Sequence, residues 1–200
     1  MKGWRLGAAA AVALASVLVC VLATVLAFTL PGGLSPDEPE DKAVAAAPGG
    51  LSYAELERQT QRRPRDGRAW VLKARLDTEA GRYELAAAGY AQALAVGRNV
   101  ARDPGVWIEY AEAKGLAQDG RLAGEPLRGV QQALAIDPHH AQALDLAGSA
   151  AWEAGDYATA VRHWRHLQTQ LPPADERHAA LSRALEKAEQ QARVSLPPRP

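Results

Sequence analysis

The chain has 200 residues, with 23 basic and 23 acidic side chains and no net charge. That length allows one ordinary domain plus an appended segment, and the even charge gives no basic stripe with which to hold nucleic acid. One cysteine, Cys20, rules out an intrachain disulfide framework and CxxC zinc or redox chemistry.

Charge is unevenly placed along the chain. Residues 6–30 carry none; Lys2 and Arg5 precede them, and Asp37, Glu38, Glu40 and Asp41 follow. At about 1.5 Å per residue, a helix of that length reaches roughly 37 Å, enough for a hydrocarbon core of ~30 Å with some tilt. The pattern predicts a transmembrane signal-anchor over residues 1–30. The positive-inside rule puts its N-terminus in the cytoplasm and the bulk of the chain outside. In a Gram-negative cell that means a single-pass inner-membrane protein with a periplasmic domain. A cleaved signal has a shorter apolar region, ~7–15 residues, and Phe28, Thr29, Leu30 and Pro31 close the run without a small-x-small site. Either reading exports the domain. Within the run, Cys20 reads as a small apolar residue, and Val19 before it does not suit a lipoprotein cleavage site. Residues 31–50 hold Pro31, Gly32, Gly33, Pro36, Pro39, Pro48, Gly49 and Gly50 among acids and alanines. Such a composition cannot bury enough apolar surface to fold, and it predicts a flexible linker.

The remainder repeats. Ala160, Trp164 and Pro172 stand 34 residues after Pro126, Val130 and Pro138, and Leu167 stands 34 after Ala133. That period is the one of the tetratricopeptide helix–turn–helix unit. Residues 52–63 read as the second half of an incomplete leading unit, capping the stack through Tyr53, Leu56 and Ala54. The first full unit spans about 67–97, with Trp70, Ala74 and Leu76 on its A helix. Gly81 breaks that helix, and Tyr83, Ala86, Tyr90, Ala93 and Leu94 follow on helix B. The second unit is irregular: Trp107 and Ala111 begin its A helix about six residues late, after an enlarged turn at 95–104. A second insertion, 119–126, separates its helices, and Pro126 suits the first turn of helix B. In the third unit helix A runs near 141–154, with Leu144, Ala147, Gly148 and Ala151 on one face. Gly155-Asp156 ends it, and Ala160, Val161, Trp164 and Leu167 recur at helical spacing on helix B. Residues 174–193 form a last helix, with Leu181, Ala184, Leu185 and Ala188 facing the stack, as a solenoid end requires. The expected class is therefore all-α: a transmembrane helix, a linker, and a tetratricopeptide-repeat domain over 51–193. That domain has about three repeats with capping helices. Residues 194–200 read as a disordered tail.

The stretch 110–181, with its enlarged preceding turn, the "GRLAGEP" insertion, the "GDYATAVRHW" helix start and the "LPP" exit, resembles a particular family. It is similar to the periplasmic repeat domain of the c-type cytochrome maturation proteins CcmI/CycH and their specialised relative NrfG, over about residues 51–193. The resemblance implies a scaffold or chaperone that holds unfolded apocytochrome c, chiefly by its C-terminal segment. It would present that client to the membrane-bound haem lyase, which attaches haem to the client's CxxCH motif. The general form resembles two membrane helices joined by a cytoplasmic segment. One helix and a short tether look more like the nitrite-reductase branch or a split variant. A scaffold for another envelope complex, such as pilus or secretion machinery, would use the same solenoid.

Repeat solenoids bind through the concave face lined by A helices. By repeat position the candidates are Val71, Arg75, Thr78, Ile108, Glu112, Leu116, Asp145, Ser149 and Trp152. An amphipathic client would place apolar anchors in such a groove. Trp152, off the packing stripe of its helix, either anchors a client or covers the neighbouring helix. Trp70, Trp107, Trp164 and Tyr90 read as repeat core. His163 and His166 share a helix side, but no cysteine or clustered carboxylate completes a site, and they read as surface histidines with no metal or cofactor. HExxH, GxSxG and GxxxxGK are absent, so no catalytic residue is assigned and no enzyme activity is expected.

Overall fold

The computed structural model describes residues 50–195. The expected anchor, most of the linker and residues 196–200 lie outside the described residues. Among the described residues every element is helical, and no helix is long and apolar enough to cross a membrane. Eight α-helices follow one another: α1 Tyr53–Arg62, α2 Gly67–Glu79, α3 Tyr83–Val96, α4 Pro104–Leu116, α5 Glu125–Ile136, α6 Ala141–Glu153, α7 Tyr157–Gln168 and α8 Glu176–Ser195. Each packs chiefly on its neighbours in sequence, the signature of a one-dimensional repeat stack. The pairs α2/α3, α4/α5 and α6/α7 are three helix–turn–helix repeats; α1 and α8 cover the ends.

Short polar residues start these helices. Ser52 and Glu55 form a capping box at α1: the Ser52 N–H donates to Glu55 Oε2 at 2.8 Å, and Glu55 N–H donates to Ser52 Oγ at 3.4 Å. Asp66, Asp103 and Asp156 accept backbone N–H bonds at the starts of α2, α4 and α7. The two tight A-to-B turns are the same motif. Gly81 and Gly155 take φ of +73° and +75°. The next N–H, of Arg82 or Asp156, donates to the carbonyl five residues back, Asp77 or Ala151, at 2.8 and 2.9 Å. This is the Schellman pattern, and glycine enters the left-handed region without a Cβ penalty.

The three A helices begin at Gly67, Pro104 and Ala141, 37 residues apart in each step. The enlarged turn therefore delays the second repeat by three residues relative to a period of 34, not six. A 3-10 turn over Val100–Arg102 accounts for the three extra residues, and Val100 packs against the first-repeat core. Trp70 and Trp107 mark the same repeat position. Their indole N–H groups donate to Pro64 O and Ala101 O, each 3.0 Å away and each six residues upstream.

The cores are interleaved small and large residues. Tyr90 and Trp164, equivalent positions of α3 and α7, are buried with Ala74, Ala86, Ala160 and Leu144 around them. Gly148 lies against the Trp164 ring so closely that a Cβ there would come within 2.3 Å of the indole nitrogen. Leu56 is buried as expected of the leading cap, Tyr53 is half-buried, and Ala54 is exposed. Leu181, Leu185 and Ala188 are buried in the last cluster, with Ala184 packed against it. Helix α8 continues to Ser195, two residues beyond the expected end at 193.

Candidate peptide-binding face

The nine residues expected to line a groove all lie on α2, α4 and α6, but the fold divides them. Val71 and Ile108 are not groove residues: they are 7% and 1% exposed. Val71 packs with Val106 of α4, and Ile108 packs with Ala143 and Ala147 of α6. Their positions fall on the seam between successive A helices, where stacking removes apolar side chains from water. The equivalent position on α6, Asp145, is exposed.

Of the remaining residues, Arg75 and Glu112 make polar links from one A helix to the next. Arg75 donates twice to Glu109 of α4, at 2.9 and 2.7 Å, a bidentate pair linking the first two repeats. Glu112, one turn further along α4, accepts from the amide of Gln142 at the start of α6. Thr78 turns its hydroxyl back to Ala74 O on its own helix. Ser149 is half-buried, and Leu116 is 47% exposed. Trp152 packs edge-on against Tyr157, ring centroids 5.0 Å apart, and leans on Trp164 at 6.2 Å. It thus covers helix α7 while staying partly open to solvent.

Glu109, Gln142 and Glu153 were not among the expected face residues. Glu109 stands three residues before Glu112, the repeat equivalent of Arg75, so the 37-residue alignment does not pair it with Arg75. Glu153 was hidden because its partner is irregular backbone. The insertion between α4 and α5, residues 117–124, folds back so that Leu122 is buried and its N–H donates to Glu153 Oε2 at 3.2 Å. Gln118 holds the loop's shape by donating to Arg121 O at 2.7 Å and Ala123 O at 3.0 Å. The loop ties the C-terminal end of α4 to that of α6.

Electrostatically the face is acidic toward its centre. Glu109 neutralises Arg75, whereas Glu112 and Asp145 have no ion-pair partner among the described residues. Burial, and then the Glu109 charge, holds the Glu112 carboxyl above the ordinary range against the lowering effect of Gln142. Asp145 is exposed as a residue, yet crowding around its carboxyl end likewise raises its pKa. The Tyr90 phenol beneath is pushed up by burial and by Glu109. Two desolvated carboxylates without cations favour a cationic partner, which would relieve both.

Residues 54–178 match the family described as the cytochrome c-type biogenesis protein H TPR domain. A cytochrome c-type biogenesis protein CycH of Pseudomonas aeruginosa is 30% identical over 142 residues. The match covers 68% of this chain and 32% of that protein, so the chain spans about a third of that relative's length. Among solved structures, the first TPR of Spaghetti (RPAP3) bound to an HSP90 peptide superposes with a TM-score of 0.53 at 15% identity. That match covers 64% of this chain and 94% of the other. MamA superposes with a TM-score of 0.55 at 11% identity, covering 72% and 88%. At those identities the structures show the tetratricopeptide solenoid alone. The family match spans most of the solenoid, from α1 into the start of α8, and the chain belongs to the cytochrome c-type biogenesis protein H family of TPR domains.

Proposed function

We propose that this chain is a membrane-anchored periplasmic scaffold and chaperone that holds unfolded apocytochrome c and presents it to the haem lyase during c-type cytochrome maturation. Its work is binding, not catalysis. Family membership supports the pathway, and the solenoid supports a polypeptide partner. The observation that carries the binding mode is the A-helix face. It has a polar ladder from Arg75–Glu109 to Glu112–Gln142, two desolvated carboxylates, and Trp152 at its end. The apolar run 6–30 serves as the anchor, and residues 31–50 as the tether that lets the domain reach clients. A segment with apolar anchors and basic side chains fits this face.

The test is calorimetric titration of the purified chain in detergent with unfolded apocytochrome c and with a peptide of its C-terminal helix. Folded holocytochrome and a scrambled peptide serve as controls. Selective binding that weakens in Glu112→Lys and Asp145→Lys is expected, because both charges would repel a basic client. A folded chain that binds no apocytochrome would instead support the envelope-scaffold role.

A further inference from the structure

His166 lies on α7 one turn after His163, and helical spacing alone pairs those two. The fold pairs His166 differently. The turn after α5 brings His139 to it, and Nε2 of His166 lies 2.9 Å from Nδ1 of His139. The ring planes stand at 85° with centroids 4.8 Å apart. The two residues are 27 apart in sequence, so their approach is set by the packing of α5, α6 and α7, not by a local turn. At least one ring must be neutral, because the bond needs an unprotonated nitrogen.

Two imidazole nitrogens on one ion, each about 2.0–2.1 Å from it, lie roughly 2.9 Å apart at a right angle and roughly 3.3 Å apart in a tetrahedron. The observed separation falls at the short end of that range. Turning the lone pairs from each other toward a common ion requires side-chain rotation, and both rings reach solvent. The neighbouring His140 is committed elsewhere: its Nδ1 accepts the Ala143 N–H at 3.2 Å as the cap of α6. Among the described residues no cluster of three or more His, Cys, Asp or Glu is placed to hold a metal. The chain therefore supplies two ligands here, and water completes the shell. We propose that His139 and His166 form a two-histidine site for a borderline transition-metal ion of the Cu2+, Ni2+ and Zn2+ class, at the junction of the second and third repeats. The site is independent of the client-binding face.

The experiment uses the full chain without a histidine tag, in detergent, titrated calorimetrically with zinc chloride and followed by electron paramagnetic resonance with copper(II) sulfate. The expected result is one saturable equivalent and a copper spectrum with nitrogen ligation. Affinity should fall at least about tenfold in His139→Ala and in His166→Ala, with the double variant no weaker than the weaker single. His178→Ala, outside the pair, should bind as the parent does. His139→Asn and His166→Gln keep a polar contact while removing the imidazole, so lost binding in those folded variants is not lost structure. Binding that is undetectable, that survives both substitutions, or that falls equally in His178→Ala would overturn the site and leave the pair as a hydrogen bond alone.

Discussion

Gly148 and Asp145 lie on the same helix three residues apart, and opposite forces act on them. Alanine at a helix interior normally gains about 1 kcal/mol over glycine. At Gly148 the new methyl would meet the Trp164 indole at distances no real contact tolerates, and overpacking of this kind costs about 1–3 kcal/mol or more. The clash wins, so Gly148→Ala is expected to destabilise the domain by about 2 kcal/mol in urea unfolding; an unchanged midpoint would show that Trp164 swings aside freely. Asp145 has a raised carboxyl pKa, chiefly from desolvation. A folded-state pKa above the unfolded value means that the native state binds the proton more tightly, so stability declines as pH rises through that pKa. Asp145→Asn is therefore expected to raise the melting temperature at pH 7. The gain should shrink as pH falls and vanish below the ordinary carboxylate range, where the parent carboxyl is protonated in both states. A gain that persists unchanged at low pH would assign it to something other than charge.

At the scale of an element, α1 is held by chemistry that its own sequence does not announce. Asp77 of α2 is fully buried, bound by Lys73 at 3.0 Å and Arg82 at 2.8 Å. Both cations then lie over the Tyr53 ring of α1, at 4.6 and 4.8 Å. One buried carboxylate thus orders two cations that clamp a third element. Removing one member of a buried pair leaves uncompensated charge and costs about 3–5 kcal/mol; here the Lys73 and Arg82 side chains are partly exposed, which lowers the figure. Asp77→Ala is expected to cost about 2–3 kcal/mol and to speed hydrogen exchange in α1 before the rest of the stack. Uniform loss of protection across all repeats would argue that the clamp is not local. The 117–124 insertion is a second such case: composition marks it as a loop, but only Leu122 and its bond to Glu153 make it a strut between two A helices.

For the whole molecule, Trp152 determines how the binding test should be done. It packs on Tyr157 and Trp164, so Trp152→Ala would remove core as well as face, with a loss of about 3 kcal/mol. Trp152→Phe is expected to keep most of the stability while weakening client binding severalfold, measured by the same titration. Equal binding by the phenylalanine variant and the parent would assign the tryptophan to packing alone.

The repeat architecture was legible in the sequence because its causes are local. Capping aspartates, Gly81 and Gly155 after A helices, and apolar residues every three or four positions act within one helix or turn. The helix pairs consequently formed in the expected order, although the second A helix starts at Pro104, three residues late instead of six, and the family resemblance rested on insertions whose positions are visible in the chain. What only the tertiary structure decided was which side of each A helix is open. Val71, Ile108 and Asp145 hold one repeat position, yet stacking buries the first two and leaves the third in solvent. The same holds for the cross-repeat pairs Arg75–Glu109, Glu112–Gln142 and His139–His166. Each joins residues at least 27 positions apart, and such distances are set by how neighbouring repeats pack, which no local pattern encodes.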